Sequence, residues 1–325
     1  MAEGGAAGAE AGTGAGAAWG ERPALLVVNA RARRGQDAAE QATAALRAAG
    51  VPVLAREKRE RETLPDLIRR VRGEVGAVIL GGGDGTLHAA APALHETGLP
   101  LGILPLGTAN DLARTLGIAP DLEAAVGVIA RGHVRAIDLG SANGELYFNV
   151  ASLGLSVDIT RRLTKVMKRR WGKLAYPIAA ALVISTSRRF SAEIVADGER
   201  LRVKTMQIAV GNGRYYGGGM AVEANARIDD QLLDVYSLEP RARWRLLLMA
   251  RAFRAGQHEG QAEVRHMRCR EVEVRTRRRR SINTDGEITA RTPAVFRLVP
   301  GAVRVFAPPP EPPPETPPEA PEGTV

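Results

Sequence analysis

The sequence predicts an α/β domain with a parallel sheet, followed by an antiparallel all-β domain. Strand-like and helix-like segments alternate up to about residue 138, which is typical of a parallel sheet with helices on both faces. Beyond that point, short β-like runs follow one another, separated by turn signals such as Asp197-Gly198 and Asp285-Gly286. This change of rhythm favours a β-sandwich or barrel. The chain has 325 residues, enough for two domains of modest size.

Four strand signals define the first domain. Each is a short apolar run bounded by turn residues, and apolar residues three and four positions apart mark helices at 37–48 and 64–71. A further helix signal follows the third strand. The four predicted strands are Ala24–Asn29, Val51–Ala55, Ala77–Leu80 and Leu101–Leu104.

The second domain is predicted from shorter β-like runs, with one helical interval at about 157–185. We place the domains at residues 22–138 and 139–306. An Ala/Gly-rich tail at 1–21 and a Pro/Glu-rich tail at 307–325 are expected to be disordered, because they offer little to bury. The β-like runs are Leu146–Val150, Ala192–Ala196, Leu201–Val210, Leu232–Ser237, Glu271–Arg275 and Val295–Leu298.

Charge and cysteine content restrict the classes of protein that fit. Lys and Arg number 45 against 36 Asp and Glu, and the net charge of +9 favours an anionic partner, although solubility alone also explains it. Cys269 is the single cysteine, which excludes an internal disulfide and a cysteine-based zinc site and fits a reducing cytosol. No secretory signal is recognisable, and the longest near-apolar run, Leu174–Ile184, is too short to span a membrane. We therefore expect a cytoplasmic protein, with peripheral membrane contact at most.

The strongest functional signal is the segment Gly81–Thr86, with the sequence Gly-Gly-Gly-Asp-Gly-Thr. It follows a predicted strand and opens a helix, so its glycines can let the backbone approach a phosphate at the helix N-terminus. Asp84 fits such a site if Mg²⁺ lies between its carboxylate and the phosphate, or if it accepts a proton. A tight strand–helix turn that needs glycine for geometry alone is the competing explanation.

A second loop of similar composition, Pro105–Asp111, follows the next strand. It combines a glycine, a hydroxyl, an amide and a carboxylate at the carboxyl end of a predicted parallel strand, where open α/β sheets bind ligands. A capped helix that starts at Asn110 or Asp111 would also explain these residues. Two such loops on consecutive strands favour a shared ligand site.

These motifs resemble the catalytic signature of diacylglycerol kinases. Gly82–Thr86 and Gly107–Asp111 carry the resemblance. Later segments extend it to lipid kinases of the YegS type: Phe148–Gly154, Gly211–Met220 with Arg227–Val235, and Asn283–Glu287. The resemblance runs in order from about residue 24 to 306. It implies a fold like that of NAD kinases and diacylglycerol kinases, with a nucleotide-binding domain, a lipid-binding β-sandwich, and a last strand that returns to the first domain.

The family implies an ATP-dependent lipid kinase acting on diacylglycerol or a related lipid, with Mg²⁺. By resemblance, Glu287 is the proton acceptor for the lipid hydroxyl, and Asp84 is the alternative used in related kinases. A structural Mg²⁺ is implied near Asp230, with carbonyls of Arg227 and Leu232, although Gln231 replaces the usual glycine of this turn. The candidate phosphate-binding residues are Gly82, Gly83, Asp84, Gly85, Thr86, Gly107, Thr108, Asn110 and Asp111.

Phosphoryl transfer needs in-line positioning, charge neutralisation and a carboxylate that takes the hydroxyl proton. Asp285 and Glu287 are the candidates for that carboxylate. Asp-Gly is also the commonest hairpin turn chemistry, so a purely structural turn is the competing explanation for both residues.

A basic amphipathic segment at 159–174 suits contact with an anionic membrane, where a lipid substrate would be found. A helix packed on the sandwich, with its basic face in solvent, explains the segment equally well. No nucleic-acid partner is expected, because aromatic residues for base stacking are not interleaved with the arginines. A homodimer is left open.

Two other functions stay open. NAD kinases share the glycine-Asp-glycine-Thr loop and the two-domain plan, but the Asn-Glu pair and Gly-Ser-Thr-Ala-Tyr segment that they usually add are not found in this sequence. A catalytically inactive nucleotide-binding protein is the second. The identity of the phosphorylated lipid does not follow from the sequence.

Overall fold

The computed structural model describes most of the chain between the two predicted tails. The N-terminal tail, and all but residues 307–309 of the C-terminal tail, lie outside the described residues. The described residues are 22–29, 35–56, 59–163, 175–213, 215–216, 220–221, 227–240 and 264–309.

The helices and strands alternate in the first part of the chain, and strands predominate afterwards. The helices are α1 Gly35–Ala48, α2 Leu64–Val71, α3 Asp84–Thr97, α4 Asp111–Thr115, α5 Leu122–Ala130, α6 Leu155–Arg162 and α7 Ala175–Thr186. The strands are β1 Ala24–Val28, β2 Val53–Ala55, β3 Ala77–Gly82, β4 Leu101–Pro105, β5 Val134–Ala142, β6 Glu145–Tyr147, β7 Val150–Gly154, β8 Phe190–Ala196, β9 Glu199–Thr205, β10 Gln207–Gly211, β11 Tyr215–Tyr216, β12 Met220–Ala221, β13 Leu233–Leu238, β14 Val264–Cys269, β15 Glu271–Thr276, β16 Ser281–Thr284, β17 Glu287–Arg291 and β18 Ala294–Phe306.

The first four strands form a parallel sheet in the order β2-β1-β3-β4. Every residue of β3 and β4 is buried, as expected for central strands of a parallel sheet. Leu25 on β1 lies opposite both Leu54 and Val78, which fixes the register on either side. The parallel α/β fold predicted for the first part of the chain is confirmed. The carboxyl ends of β3 and β4 lead directly into the two glycine loops.

Strand β18 connects the parallel sheet with the antiparallel strands. It pairs in parallel with β4, where Val305 lies opposite Leu101, and antiparallel with β5 and β15. Ten strands thereby form one continuous sheet, in which β8 and β9 complete the far end. The last strand among the described residues therefore connects the part of the molecule that carries the glycine loops to the β-rich part.

The second layer is an antiparallel sheet in the order β14-β13-β10-β7-β16-β17. Its apolar face packs on the antiparallel half of the large sheet, with residues such as Leu153, Ile194, Val235 and Phe296 in a common core. This arrangement confirms the predicted β-sandwich. The hairpin of β16 and β17 lies at one edge of this layer and carries Asp285 and Glu287 at its turn.

Two predicted strands, Leu146–Val150 and Leu201–Val210, are each divided in the structure. In the first, β6 ends at Tyr147 because the N–H groups of the next residues donate to the Asp285 carboxylate instead of to a neighbouring strand. In the second, β9 ends and β10 begins on either side of Met206, where the chain crosses from the large sheet to the second layer. The Met206 N–H donates to the carbonyl of Leu238 over 2.8 Å, which fixes the crossing.

In the described parts of the helical interval expected at about 157–185, the structure has the helices α6 and α7. Residues 164–174, which include most of the basic amphipathic segment, lie outside the described residues. Ile159 on α6 and Val183 on α7 are buried in the same small apolar cluster, so the two helices pack against each other.

Candidate functional site

The first glycine loop joins β3 to α3 with almost no intervening chain. Gly83 is the N-cap of α3, and its carbonyl accepts the N–H of Thr86 over 2.9 Å. A Cβ on Gly82 would lie 2.6 Å from Oγ1 of Thr86, so a side chain at this position would displace the threonine. The N–H groups of Asp84 and Gly85, the first two residues of α3, point out of the positive end of the helix dipole and have no acceptor among the described backbone contacts, which suits a bound phosphate.

The second glycine loop is held in shape by the side chain of Asn110. This residue adopts a left-handed conformation with φ of 51°, and its Oδ1 accepts the N–H of Gly107 over 3.0 Å. Its Nδ2 donates to the carbonyl of Pro105 over 3.1 Å and to that of Gly107 over 3.2 Å. Asn110 therefore braces the loop. Asp111 is buried at the start of α4, whereas Thr108 is exposed at the tip.

The two glycine loops touch each other. A Cβ on Gly107 would lie only 2.4 Å from Cα of Gly83, so both backbones approach to a distance that only glycine allows. The carboxylate of Asp84 accepts the backbone N–H of Leu112 over 3.1 Å, which ties the start of α3 to α4. The two loops thus meet at the carboxyl ends of β3 and β4, where Thr108 is exposed and Asn110 and Asp111 are buried.

Gly107→Ala is expected to separate the loops and weaken ATP binding. The new Cβ would meet backbone atoms of Gly83, which cannot move aside as a flexible side chain could. Overpacking of this kind costs about 1–3 kcal/mol, and we expect a weakening of ATP affinity of roughly tenfold or more by isothermal titration calorimetry. Gly73→Ala is the control, because a Cβ there meets nothing within 4 Å. Unchanged ATP affinity in Gly107→Ala would show that the close approach is not needed.

Asp285 and Glu287 lie on the same turn but in different surroundings. The Asp285 side chain is 2% exposed, and its carboxylate accepts the N–H groups of Phe148, Asn149 and Val150 over 2.6, 2.9 and 3.1 Å. Both of its oxygens are used in holding the chain between β6 and β7. Glu287 is exposed at the start of β17. The structure thus gives Asp285 a structural role and leaves Glu287 accessible to a ligand.

His88 connects this acidic turn with the first glycine loop. It lies one helical turn after Asp84 on α3, and its Nδ1 is 3.5 Å from Oδ2 of Asp285, an electrostatic contact longer than a normal hydrogen bond. Burial lowers the pKa of His88, but the carboxylates of Asp285, Glu287 and Glu145 outweigh it, so the pKa is raised above its ordinary value. The turn that carries Glu287 is therefore docked on the helix that begins at Asp84.

The surroundings of Asp230 do not fit the implied structural Mg²⁺. One carboxylate oxygen of Asp230 contacts the Arg268 guanidinium, and the other accepts the N–H of Leu232 over 3.1 Å. Arg268 also pairs with Asp234 over 3.3 Å, so its charge is shared between two acids. Burial raises the pKa of Asp230, although Leu232 and Arg268 oppose this shift. A guanidinium already supplies the positive charge that a divalent cation would bring.

Arg227, the third residue of the implied metal set, pairs with Asp229 over 3.2 Å. Gln231 takes the left-handed conformation, with φ of 59°, and its N–H donates to Asp138 over 2.9 Å. Among the residues that the structure describes, no group of three or more His, Cys, Asp or Glu side chains could hold a metal ion.

We expect EDTA to leave the thermal unfolding midpoint of the nucleotide-free protein unchanged. Arg268→Ala is expected to lower the free energy of unfolding by about 1 kcal/mol, because the pairs that it breaks are partly exposed. Arg297→Ala, which breaks an exposed pair with Glu271, is the matched control. Differential scanning calorimetry with and without chelator measures both effects. A lower unfolding midpoint of the wild type in EDTA would show instead that a bound metal ion stabilises the nucleotide-free protein.

Sequence reasoning missed several polar residues that organise the site. Asn29 follows β1, and its Nδ2 donates to Oγ1 of Thr86 over 3.1 Å. Buried Asn212 donates to the carbonyls of Asp138 and Phe148 over 2.9 and 2.8 Å, which joins β5 to the chain before β7. The position of Asn29 at the carboxyl end of a strand is a signal that could have identified it. The partners of Asn212 are more than 60 residues away, and no local pattern indicates them.

Two family models match consecutive parts of the chain. The diacylglycerol kinase catalytic domain matches residues 23–142, and the YegS C-terminal NAD kinase beta sandwich-like domain matches residues 149–307. A protein named "Probable lipid kinase YegS-like" from Pseudomonas aeruginosa (strain UCBPP-PA14) is 33% identical over 292 residues, which cover 87% of this chain and 94% of that protein. The chain belongs to the family of YegS-like lipid kinases. Membership of a kinase family implies ATP as the co-substrate.

Two further comparisons describe the relatives of this YegS-like chain. A protein named "Diacylglycerol kinase" from Mycobacterium tuberculosis (strain ATCC 25618 / H37Rv) is 34% identical over 243 residues, which cover 71% of this chain and 77% of that protein. A crystal structure of a diacylglycerol kinase from Bacillus anthracis str. Sterne superimposes with a TM-score of 0.66 at 22% identity, covering 89% of this chain and 97% of that chain. This likeness shows the fold. Within the described residues, no helix has the length and apolar character needed to cross a membrane.

Proposed function

We propose that this protein is an ATP-dependent lipid kinase that transfers the γ-phosphate of ATP to the hydroxyl of diacylglycerol or a related lipid. The observation that carries the proposal is the contact of the two glycine loops, at Gly83 and Gly107, on the same side as the turn that bears Glu287. A nucleotide phosphate and an acceptor hydroxyl can meet between them. The family to which the chain belongs supports the same reaction.

In the proposed complex, the nucleotide phosphates lie against the N-terminus of α3 and the exposed hydroxyl of Thr108. The N–H groups of Asp84 and Gly85 donate to the phosphate oxygens. Asp84 is suited to hold Mg²⁺, because its carboxylate is partly exposed and, among the described contacts, accepts a single hydrogen bond through Oδ1. When bound, the ion neutralises charge on the phosphoryl group that is transferred. Asp111 is buried at the first position of α4 and is less accessible to a ligand than Asp84.

Glu287 is the proposed proton acceptor, and Asp285 holds the turn that presents it. As the lipid oxygen attacks the γ-phosphorus, its proton moves to the Glu287 carboxylate, and the bond between the γ-phosphorus and the β,γ-bridging oxygen of ATP breaks to leave ADP. Asp84 is the alternative acceptor.

A peripheral membrane contact through residues 159–174 is part of the proposal, because the hydroxyl of a membrane lipid lies at the level of the headgroups. In the described part of this segment, Arg161 and Arg162 are exposed on α6 while Ile159 is buried against α7. Cations on such a face are attracted to anionic lipid by about 1 kcal/mol each.

A labelled-ATP assay over a panel of acceptors tests the proposal. The panel contains diacylglycerol, phosphatidylglycerol, a long-chain base and a lipid-A-like acceptor, with NAD as the soluble comparison, and mass spectrometry identifies the product. Label transfer to a lipid supports the proposal. Phosphorylation of NAD alone would assign a soluble substrate, and ATP binding without transfer to any acceptor would indicate an inactive nucleotide-binding protein.

A further inference from the structure

A basic cavity lies beside the sandwich, and none of its lining residues belongs to the glycine loops. It has a volume of about 600 Å³ and opens to solvent between α6, the end of α7 and the segment before β16. Its charged lining consists of Arg161, Arg162, Arg188, Arg280 and Asp158, a formal charge of +3. We call it the arginine cavity. Strand β16 separates Arg280 from Asp285, a span of about 16 Å at the rise of a β-strand.

Arg280 is the most buried of the four arginines and is fixed in orientation. The central carbon of its guanidinium lies 3.8 Å from the centroid of the Phe190 ring. Because the ring covers one face of the planar group, the N–H edge remains for a ligand in the cavity. Burial lowers the pKa of Arg280, and the Asp158 carboxylate opposes that shift. The fold thus holds a partly desolvated cation at the cavity wall.

The charge of the arginine cavity is not balanced by the protein. Within the described residues, none of its four arginines forms an ion pair with a carboxylate, and Arg161 instead donates to Oγ of Ser281 over 2.7 Å. Elsewhere in the same structure, Arg70 and Arg135 each lie 2.7 Å from a carboxylate oxygen. Like charges gathered in one cavity repel each other, and an anion would remove this cost.

The dipole of α6 accounts for the positions of only two of the four arginines in the arginine cavity. Cations are stabilised at the C-terminal turn of a helix, where Arg161 and Arg162 lie. Arg188 follows α7, and Arg280 precedes β16, so three separate segments direct arginines at one cavity. This convergence is characteristic of a binding site rather than of a capped helix end.

We propose that the arginine cavity binds a phosphate group at a site separate from the nucleotide loops. Planar guanidinium groups match phosphate oxygens through paired, charge-assisted hydrogen bonds. The phosphate belongs either to the headgroup of a membrane phospholipid or to a free phosphate compound. The site goes beyond the proposed kinase reaction, because no residue of its lining belongs to the glycine loops or to the turn at residues 285–287. It anchors or regulates the protein and does not touch the transferred phosphoryl group.

The double variant Arg162→Gln/Arg188→Gln tests the proposal while keeping the buried Arg280. Both residues are exposed and have no ion-pair partner among the described residues, so the fold is expected to persist. Phosphorus NMR titration with inorganic phosphate at constant ionic strength should show affinity reduced about tenfold, since charge-assisted hydrogen bonds are lost. The control Arg200→Gln/Arg202→Gln removes the same charge from the exposed strand β9 and should bind phosphate like the wild type. Arg280→Gln, checked for folding by circular dichroism, should weaken binding as well.

Vesicle co-sedimentation distinguishes the two sources of phosphate. The same proteins are compared on phosphatidylcholine vesicles with and without phosphatidylglycerol. If the double variant loses both phosphate affinity and retention on the anionic vesicles, the ligand is a lipid headgroup. If it loses phosphate affinity alone, the ligand is a free phosphate compound. If the double variant binds phosphate as tightly as the wild type, the proposal is wrong. This holds even if the double variant binds the vesicles less well, because the loss of two positive charges would explain weaker vesicle binding. Neither measurement requires phosphoryl transfer, so failure of the kinase assignment would be seen separately.

Discussion

Glu287→Gln is expected to lower kcat by about 10²–10⁴-fold while the protein remains folded. The amide has nearly the same shape as the carboxylate but cannot take the proton of the lipid hydroxyl. Glu287 is exposed, so the substitution costs little stability. Steady-state lipid phosphorylation gives kcat and KM, and thermal unfolding confirms that the variant is folded. Turnover close to that of the wild type would reject Glu287 as the proton acceptor.

Glu145→Gln is a matched control that separates loss of the proton acceptor from loss of a negative charge near His88. Glu145 also lies near enough to His88 to raise its pKa, yet it sits on β6 and outside the acidic turn. Glu145→Gln therefore removes a nearby negative charge without removing the proposed acceptor, and we expect kcat near the wild-type value. Equal losses in both variants would mean that the charge of the cleft, and not proton transfer, is what the reaction needs.

Single-turnover kinetics distinguish Glu287 from Asp84. If Glu287 accepts the proton, Glu287→Gln should slow phosphoryl transfer but leave ATP affinity unchanged. Asp84→Asn should instead weaken the binding of ATP with Mg²⁺. The reverse pattern would transfer the role of proton acceptor to Asp84.

The phosphate-binding surface could be predicted from sequence because its information is local. Gly82–Thr86 and Gly107–Asp111 each place glycines, hydroxyls and acids within a few residues at the end of a strand. The carboxyl ends of neighbouring parallel strands lie at the same edge of a sheet, so the two loops are expected to be close together. The sandwich was predictable for a similar reason, since alternating apolar residues and turn signals repeat along the second part of the chain.

The role of Asp285 could not be predicted, because its partners are distant in sequence. It binds the N–H groups of residues 148–150, more than 130 positions earlier, and an Asp-Gly pair gives no sign of that contact. The division of the predicted strand at 146–150 has the same cause. Arg268 is a similar case, since the family pattern around Asp230 carries no information about a cation from β14. The roles of Asp285 and Arg268 depend on polar contacts between residues that are distant in sequence, and the local sequence pattern does not predict such contacts.

Asp285→Ala is expected to destabilise the protein by at least about 3 kcal/mol, because the N–H groups that it satisfies lose their acceptor in a buried site. Phe148, Asn149 and Val150 all donate to this one carboxylate, and these residues are 1%, 3% and 3% exposed, respectively. Urea unfolding followed by circular dichroism measures the change. Asp121→Ala is the control. The Asp121 side chain caps α5 and accepts a single N–H group, so its loss should lower the free energy of unfolding by only about 1 kcal/mol. Similar losses for both variants would show that Asp285 does not organise the strand break.

The cost of Asp285→Ala should also depend on pH through His88. The pKa of His88 is raised above 6.5 in the folded protein, partly by Asp285, so protonated His88 contributes stability that is complete below 6.5 and lost as the pH rises through the folded pKa. Without Asp285 this contribution shrinks. The difference in unfolding free energy between wild type and Asp285→Ala should therefore be larger near about pH 6 than near about pH 9, and a His88→Gln background should flatten it. A difference that stays constant, or grows with pH, would mean that the imidazole and the carboxylate are not coupled, and the docking of the acidic turn on α3 would then depend on the backbone contacts of Asp285 alone.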